Sequence, residues 1–208
     1  MISAKELNAR NVKEWEDIEK CNKKLVKDPK DKDALESLVL LYVWKDMAKE
    51  ARKVLEWLRY IDSSWEEMYD FMESNIYVLE KDYVSAQGIL SKLYSGKWKY
   101  NGEVVRYYGV VTHILAQESD GNLQVGLLGK ARRLLEEAWE MSKYDAVCIY
   151  DLARVYMLLT DPEPFNRLDK FWRDNRDKLS ARWADMDRLD RDFNRLRNMK
   201  KDMNRGLK

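Results

Sequence analysis

An all-α fold built from antiparallel helix pairs is predicted by three features of the sequence. The chain of 208 residues has only 3 Pro and 8 Gly, and 36% of its residues are charged, so few positions break a helix and many suit a solvent-facing side. Apolar residues recur at helical rather than strand spacing. A turn signal also repeats: Pro29 and Ser63 are 34 residues apart, each directly after an Asp that closes a helical pattern. A fixed period of that length marks stacked helical hairpins, none of which buries its apolar face until a neighbour covers it. The 8 Trp and 12 Tyr give such helices bulky residues to interlock.

Taken in order, Ser3 and Glu6 form a capping box that opens a helix over about 3–28, with Leu7, Val12, Trp15, Ile18 and Leu25 on one stripe. From Asp33 the first helix pair carries Leu35, Leu38, Val39 and Tyr42, then Ala51, Leu55 and Leu58. The second pair carries Tyr69, Met72 and Ile76, then Tyr83, Ala86, Leu90 and Leu93. Ala51 and Ala86 are 35 residues apart, which implies one added residue in the loop between helices. The third pair places Val105, Tyr108 and Gly109 against Ala131, Leu135 and Ala138, with an insertion near 119–128 between them. Seven of the eight glycines fall between Gly88 and Gly129, and that window is expected to be rich in loops. The fourth pair opens on Ile149, Leu152, Ala153 and Tyr156; its returning half begins with Pro162 and Pro164 and sets Phe165 where a small residue is usual.

These residues resemble the tetratricopeptide repeat, over roughly residues 12–172 and about three to four units. The resemblance implies a right-handed α-solenoid of antiparallel helix pairs over residues 1–165, followed by a C-terminal helical extension over 166–208. It also implies a job of binding other proteins, because the first helices of successive units line a concave groove in this family. Carried over one residue at a time, the groove positions are Asp33, Glu36, Leu40 and Trp44; Asp70, Phe71, Ser74 and Tyr77; Arg106, Tyr107, Val110 and His113; and Tyr150, Asp151, Arg154 and Met157. Such a groove is aromatic in the middle, acidic at one end and carries two arginines toward the other, which suits a peptide or helix of a partner protein with apolar anchors and basic character. The competing reading is that part of this stripe is core between repeats or is covered by the chain's own tail. The chaperone-binding subset of the family clamps a C-terminal carboxylate with Lys and Asn; here Glu36, Leu40, Phe71, Glu103 and Tyr107 stand in those places and cannot supply the donors.

Nothing in the sequence specifies an enzyme or a cofactor. His113 is the single histidine, no glycine loop cradles a phosphate, and Cys21 and Cys148 are far apart without a CxxC context. No metal site is expected. No run of about 18 apolar residues exists to span a membrane. The first residues, "MISAKELNARNVKEWED", are charged where a leader is apolar, which reads as a cytoplasmic chain; one whose leader had been removed would read the same.

Residues 166–208 hold 14 Lys or Arg against 8 Asp, a balance of +6 in a chain whose total is +1, so the preceding residues carry −5. Phe165, Trp172, Leu179, Met186 and Phe193 keep a seven-residue rhythm, supported by Leu168, Leu189 and Leu196, with Trp183 close by. Three readings of this tail stand. It packs back on the repeats as a cap, it is a coiled-coil arm that forms a homodimer or higher oligomer, or it is a basic helix for nucleic acid or a membrane surface. The interspersed Asp residues dilute the field that polyanions need, so nucleic acid is the least favoured partner. The overall expectation is an interaction scaffold or adaptor; the alternative is a structural protein that self-assembles through its C-terminal helix.

Overall fold

The structure is a computed structural model that describes residues 4–159, 162–181 and 186–206, with side chains described from 13 to 203 within those spans. Ten α-helices and two short 3-10 turns account for nearly all of it, and no strand occurs among the described residues. The chain divides into two compact units, one ending at Leu93 and the other beginning at Tyr94.

The first unit holds α1 (Ala4–Lys27), α2 (Lys32–Trp44), α3 (Ala48–Ile61), α4 (Glu66–Leu79) and most of α5 (Tyr83–Ser95). Asp31 starts α2 by accepting the amide of Ala34 at 2.9 Å, and Asp82 does the same for Ser85 at 3.1 Å, so orphan N-terminal amides are satisfied. The two interhelical turns are built alike. The amide of Met47 bonds the carbonyl of Tyr42, and 35 residues on the amide of Asp82 bonds that of Tyr77, both at 2.9 Å. The residues just before these donors, Asp46 and Lys81, take left-handed backbone with φ of 55° and 62°, the conformation that closes a helix end by returning the chain across its last carbonyls. The same backbone device at the same spacing is the repeat in three dimensions. Between the helices lies a core of Leu35, Val39, Ala51, Leu55, Leu58, Tyr69, Met72 and Ile76. On its far side Ile18 of α1 packs with Leu38 and Leu41, filling the place of a preceding repeat's second helix.

The second unit holds α6 (Gly102–Gln117), α7 (Gly121–Met141), α8 (Ala146–Leu158), α9 (Pro162–Asp174) and α10 (Met186–Gly206). Asn101 caps α6 through the amides of Glu103 and Val104, and Asp145 caps α8 through those of Val147 and Cys148. Gly109 lets α6 lie close on α7: a Cβ there would sit 2.7 Å from Leu135 Cγ, closer than packed atoms approach, and 3.3 Å from Leu134 Cβ.

The glycine window is not loop-rich, which corrects the expectation from composition. Gly121, Gly126 and Gly129 all belong to α7, and the connection from α6 is only residues 118–120. Each helical glycine costs about 1 kcal/mol relative to alanine. Burial of Leu128, Ala131, Leu134, Leu135 and Ala138 along the same helix outweighs that cost. The added residues therefore lengthen a helical hairpin rather than open a loop.

The seven-residue row of the tail is shared between two helices, since α9 ends at Asp174 and α10 starts at Met186. The row folds on itself. Phe165, Leu168 and Trp172 of α9 and Leu189, Phe193 and Leu196 of α10 join one buried cluster with Ile149, Leu152 and Tyr156 of α8. Phe193 stacks on Trp172 at 4.4 Å and on Phe165 at 6.1 Å between ring centres. The segment between the helices is tied to the α7–α8 turn by a two-bond bridge, Ala146 N to Ser180 O and Ser180 N to Tyr144 O, each 2.9 Å.

Candidate functional site

The candidate surface is the set of first-helix faces, taken within each unit. In the first unit α2 and α4 touch directly, as first helices of neighbouring repeats do. Trp44 at the end of α2 is 40% exposed, while Glu36 and Leu40 are half-buried. Burial, reinforced by Asp33, raises the pKa of the Glu36 carboxyl. On α4, Phe71 and Tyr77 are half-buried, and the guanidinium of Arg52 lies 4.9 Å over the Tyr77 ring.

Asp70 belongs to a different structure. It is buried, and it accepts from Arg59 of α3 at 2.8 Å and from Lys92 of α5 at 3.2 Å, so it turns toward the second helices. It is part of a ladder in which Arg59 also reaches Glu66 and Glu73, both at 3.0 Å, and Arg52 reaches Glu73 at 3.5 Å and Glu80 at 2.5 Å. Sequence reasoning missed this ladder, although its signal is plain: arginines seven apart on α3 face glutamates seven apart on α4. Ser74 is buried too, its hydroxyl donating to the Phe71 carbonyl at 2.7 Å.

In the second unit the corresponding helices are α6 and α8, which also touch. Arg106 links them: its Nη1 donates to Asp151 at 3.1 Å, and its Nε lies 4.0 Å from the α8 cap Asp145. Asp151 is buried, and that burial raises its pKa although Arg106 pulls the other way. Beside them Tyr107, half-buried, has its hydroxyl pushed up to about 12 by desolvation. The Arg154 guanidinium lies 6.0 Å over the half-buried ring of Tyr150.

His113 is only 3% exposed, and its Nε2 has no hydrogen-bond partner among the described residues. Burial, with the positive charge of Arg154 nearby, lowers its pKa to about 4. The folded protein therefore holds it neutral through a range where the unfolded chain, near 6.5, takes up a proton. Stability rises with pH between these two values and is flat above them. Lowering the pH from 7 to 5 is expected to cost about 2 kcal/mol through this residue. Urea titrations at the two pH values, compared with the same pair for His113→Phe, measure it: the variant should show a smaller difference.

The tail residues Trp172, Leu179, Leu189, Phe193 and Leu196 are buried in the second unit's own cluster, and Met186 packs against it. Trp183 lies outside the described residues. In this packing the apolar row is spent within the chain.

The Cys148 thiol is buried and its pKa is driven up by desolvation, with Sγ 3.6 Å from the Leu135 carbonyl. Among the described residues no group of His, Cys, Asp and Glu is placed to hold a metal ion, and no helix is long and apolar enough to cross a membrane.

No family model and no curated protein matches the sequence. Among solved structures, the crystal structure of MamA is similar at a TM-score of 0.53, with 12% sequence identity, covering 86% of this chain and 95% of that one. The likeness is one of fold: MamA is a tetratricopeptide-like protein, and the present chain has a tetratricopeptide-like helical-repeat fold.

Proposed function

We propose that the protein is a divergent tetratricopeptide repeat scaffold that holds a peptide or helix of a partner protein on its first-helix faces. The observation that carries this reading is the pairing of equivalent first helices, α2 with α4 and α6 with α8, each pair presenting partly exposed aromatic residues beside fixed charges. Trp44, Phe71 and Tyr77 serve as anchors in the first unit, and Tyr107, Tyr150 and Arg154 in the second, with Glu36 as an acidic contact. Asp70 and Arg106 act behind them by fixing helix positions, and His113 acts as core. Helices hold these side chains rigidly, so a partner loses little affinity to ordering the receptor.

Truncating Trp44 and Tyr77 together to Ala is expected to weaken partner binding by about 2 kcal/mol or more, with a modest loss of stability because both are partly exposed. The measurement is affinity capture with the full chain and the double variant, read by quantitative mass spectrometry beside a thermal melt. Partners held by the native chain and lost by the folded variant support the reading. Equal retention by both sinks it.

A further inference from the structure

The geometry points to a site for a phosphate monoester dianion in the cleft between α9 and α10. The cleft, of about 350 Å³, is lined by Arg173, Arg197, Lys200 and Lys201 with Asp169 as the one carboxylate. Four cations thus face a single negative charge. Asp169 is itself held from both sides, by Arg173 at 3.3 Å and by Arg197 Nε. Arg197 is the key group. Its Nε goes to Asp169 and its Nη1 to Asn194, while Nη2 is buried with no acceptor among the described residues. Arg197 lines the cleft, and an anion oxygen is the kind of acceptor its remaining donor lacks.

The cations are also preset. Lys200 lies 4.6 Å over the Phe165 ring and Arg197 5.0 Å over Phe193, both rings being buried in the core. Charge placed over an aromatic face on rigid helices is ordered before the ligand arrives. Donors from two helices suit a tetrahedral group with three oxygens and two charges: Arg173 stands on α9, while Lys201 and Arg197, with its remaining Nη2, stand on α10. A carboxylate brings one charge, and Asp169 already supplies that. An extended polyanion fits less well, because Asp187 and Asp192 alternate with the arginines along α10 and break any continuous basic stripe. The site is independent of the aromatic first-helix faces. Its ligand is either free phosphate or a phosphorylated side chain.

The test is calorimetric titration of the full chain at low salt with inorganic phosphate, a short serine-phosphorylated peptide and its unphosphorylated counterpart. One-to-one binding of a phosphorylated probe is expected, weakened about tenfold by Lys201→Gln and unchanged by Lys53→Gln, an exposed charge on α3. Binding of the phosphopeptide should also weaken below about pH 6, where the monoester dianion takes up a proton and becomes a monoanion. Free phosphate matching the phosphopeptide assigns a free ligand, and a phosphopeptide preference of tenfold or more assigns a side chain. A saturable shift of the phosphorus resonance on adding native protein gives a readout that needs no variant. No saturable binding of either probe, or equal weakening by the two lysine variants, overturns the site.

Discussion

Phe193→Ala will lower the unfolding free energy by about 3–5 kcal/mol, as large-to-small changes at buried aromatic positions do. The ring is fully buried, stacks on both Trp172 and Phe165, and seals the cluster that α8, α9 and α10 share. Alanine leaves a cavity walled by two other rings, which cannot close without moving a helix. Chemical denaturation gives the number, and Phe193→Leu should recover part of it. A loss under about 1 kcal/mol would mean that α10 is not docked, and the coiled-coil reading of the tail would return.

The second large effect is at the pair that joins α6 to α8. Arg106→Met removes the partner of a buried carboxylate, and breaking such a pair from one side costs about 3–5 kcal/mol. The loss has a pH signature. In the variant Asp151 loses the charge that favours its ionised form, so its already raised pKa rises further. The penalty from a raised carboxyl builds as the pH rises from the ordinary 3.8 to the folded value and is constant above it, so the variant's deficit should shrink as the pH is lowered through that window toward 3. Urea midpoints at pH 7 and pH 3.5 measure this. A deficit of equal size at both would mean that the loss is one of packing alone.

The helix pairs and their packing residues were legible because burial imposes a period. Ala51, Leu55, Tyr69, Ile76, Ala131, Leu152 and Ala153 are all inside, where helical spacing set them. The α7 extension was misread because glycine content was weighed without the apolar stripe that shares its helix. The first-helix positions were legible as a list but not as a surface. A helix position fixes which way a side chain leaves the backbone, not what it meets there: Asp70 meets two cations, His113 meets core, and Trp44 stays partly exposed. The Arg52–Arg59 ladder and the α9–α10 cleft needed helices brought side by side, and only the first left a trace in the sequence, as matched sevenfold spacing.

The contact of α10 with α8 passes over α9, and among the described residues it is the most extensive contact between helices that are not next to each other in the chain. The consequence is one of timing during synthesis. A helix pair closes as soon as its second member emerges, but Phe165, Leu168 and Trp172 leave the ribosome some 20 to 30 residues before Phe193 and Leu196. Until then the nascent chain shows one unsealed aromatic face, and every premature stop upstream of Phe193 leaves it so. Such a face is what chaperones and proteases recognise. The face is concealed once α10 docks on α8 and α9.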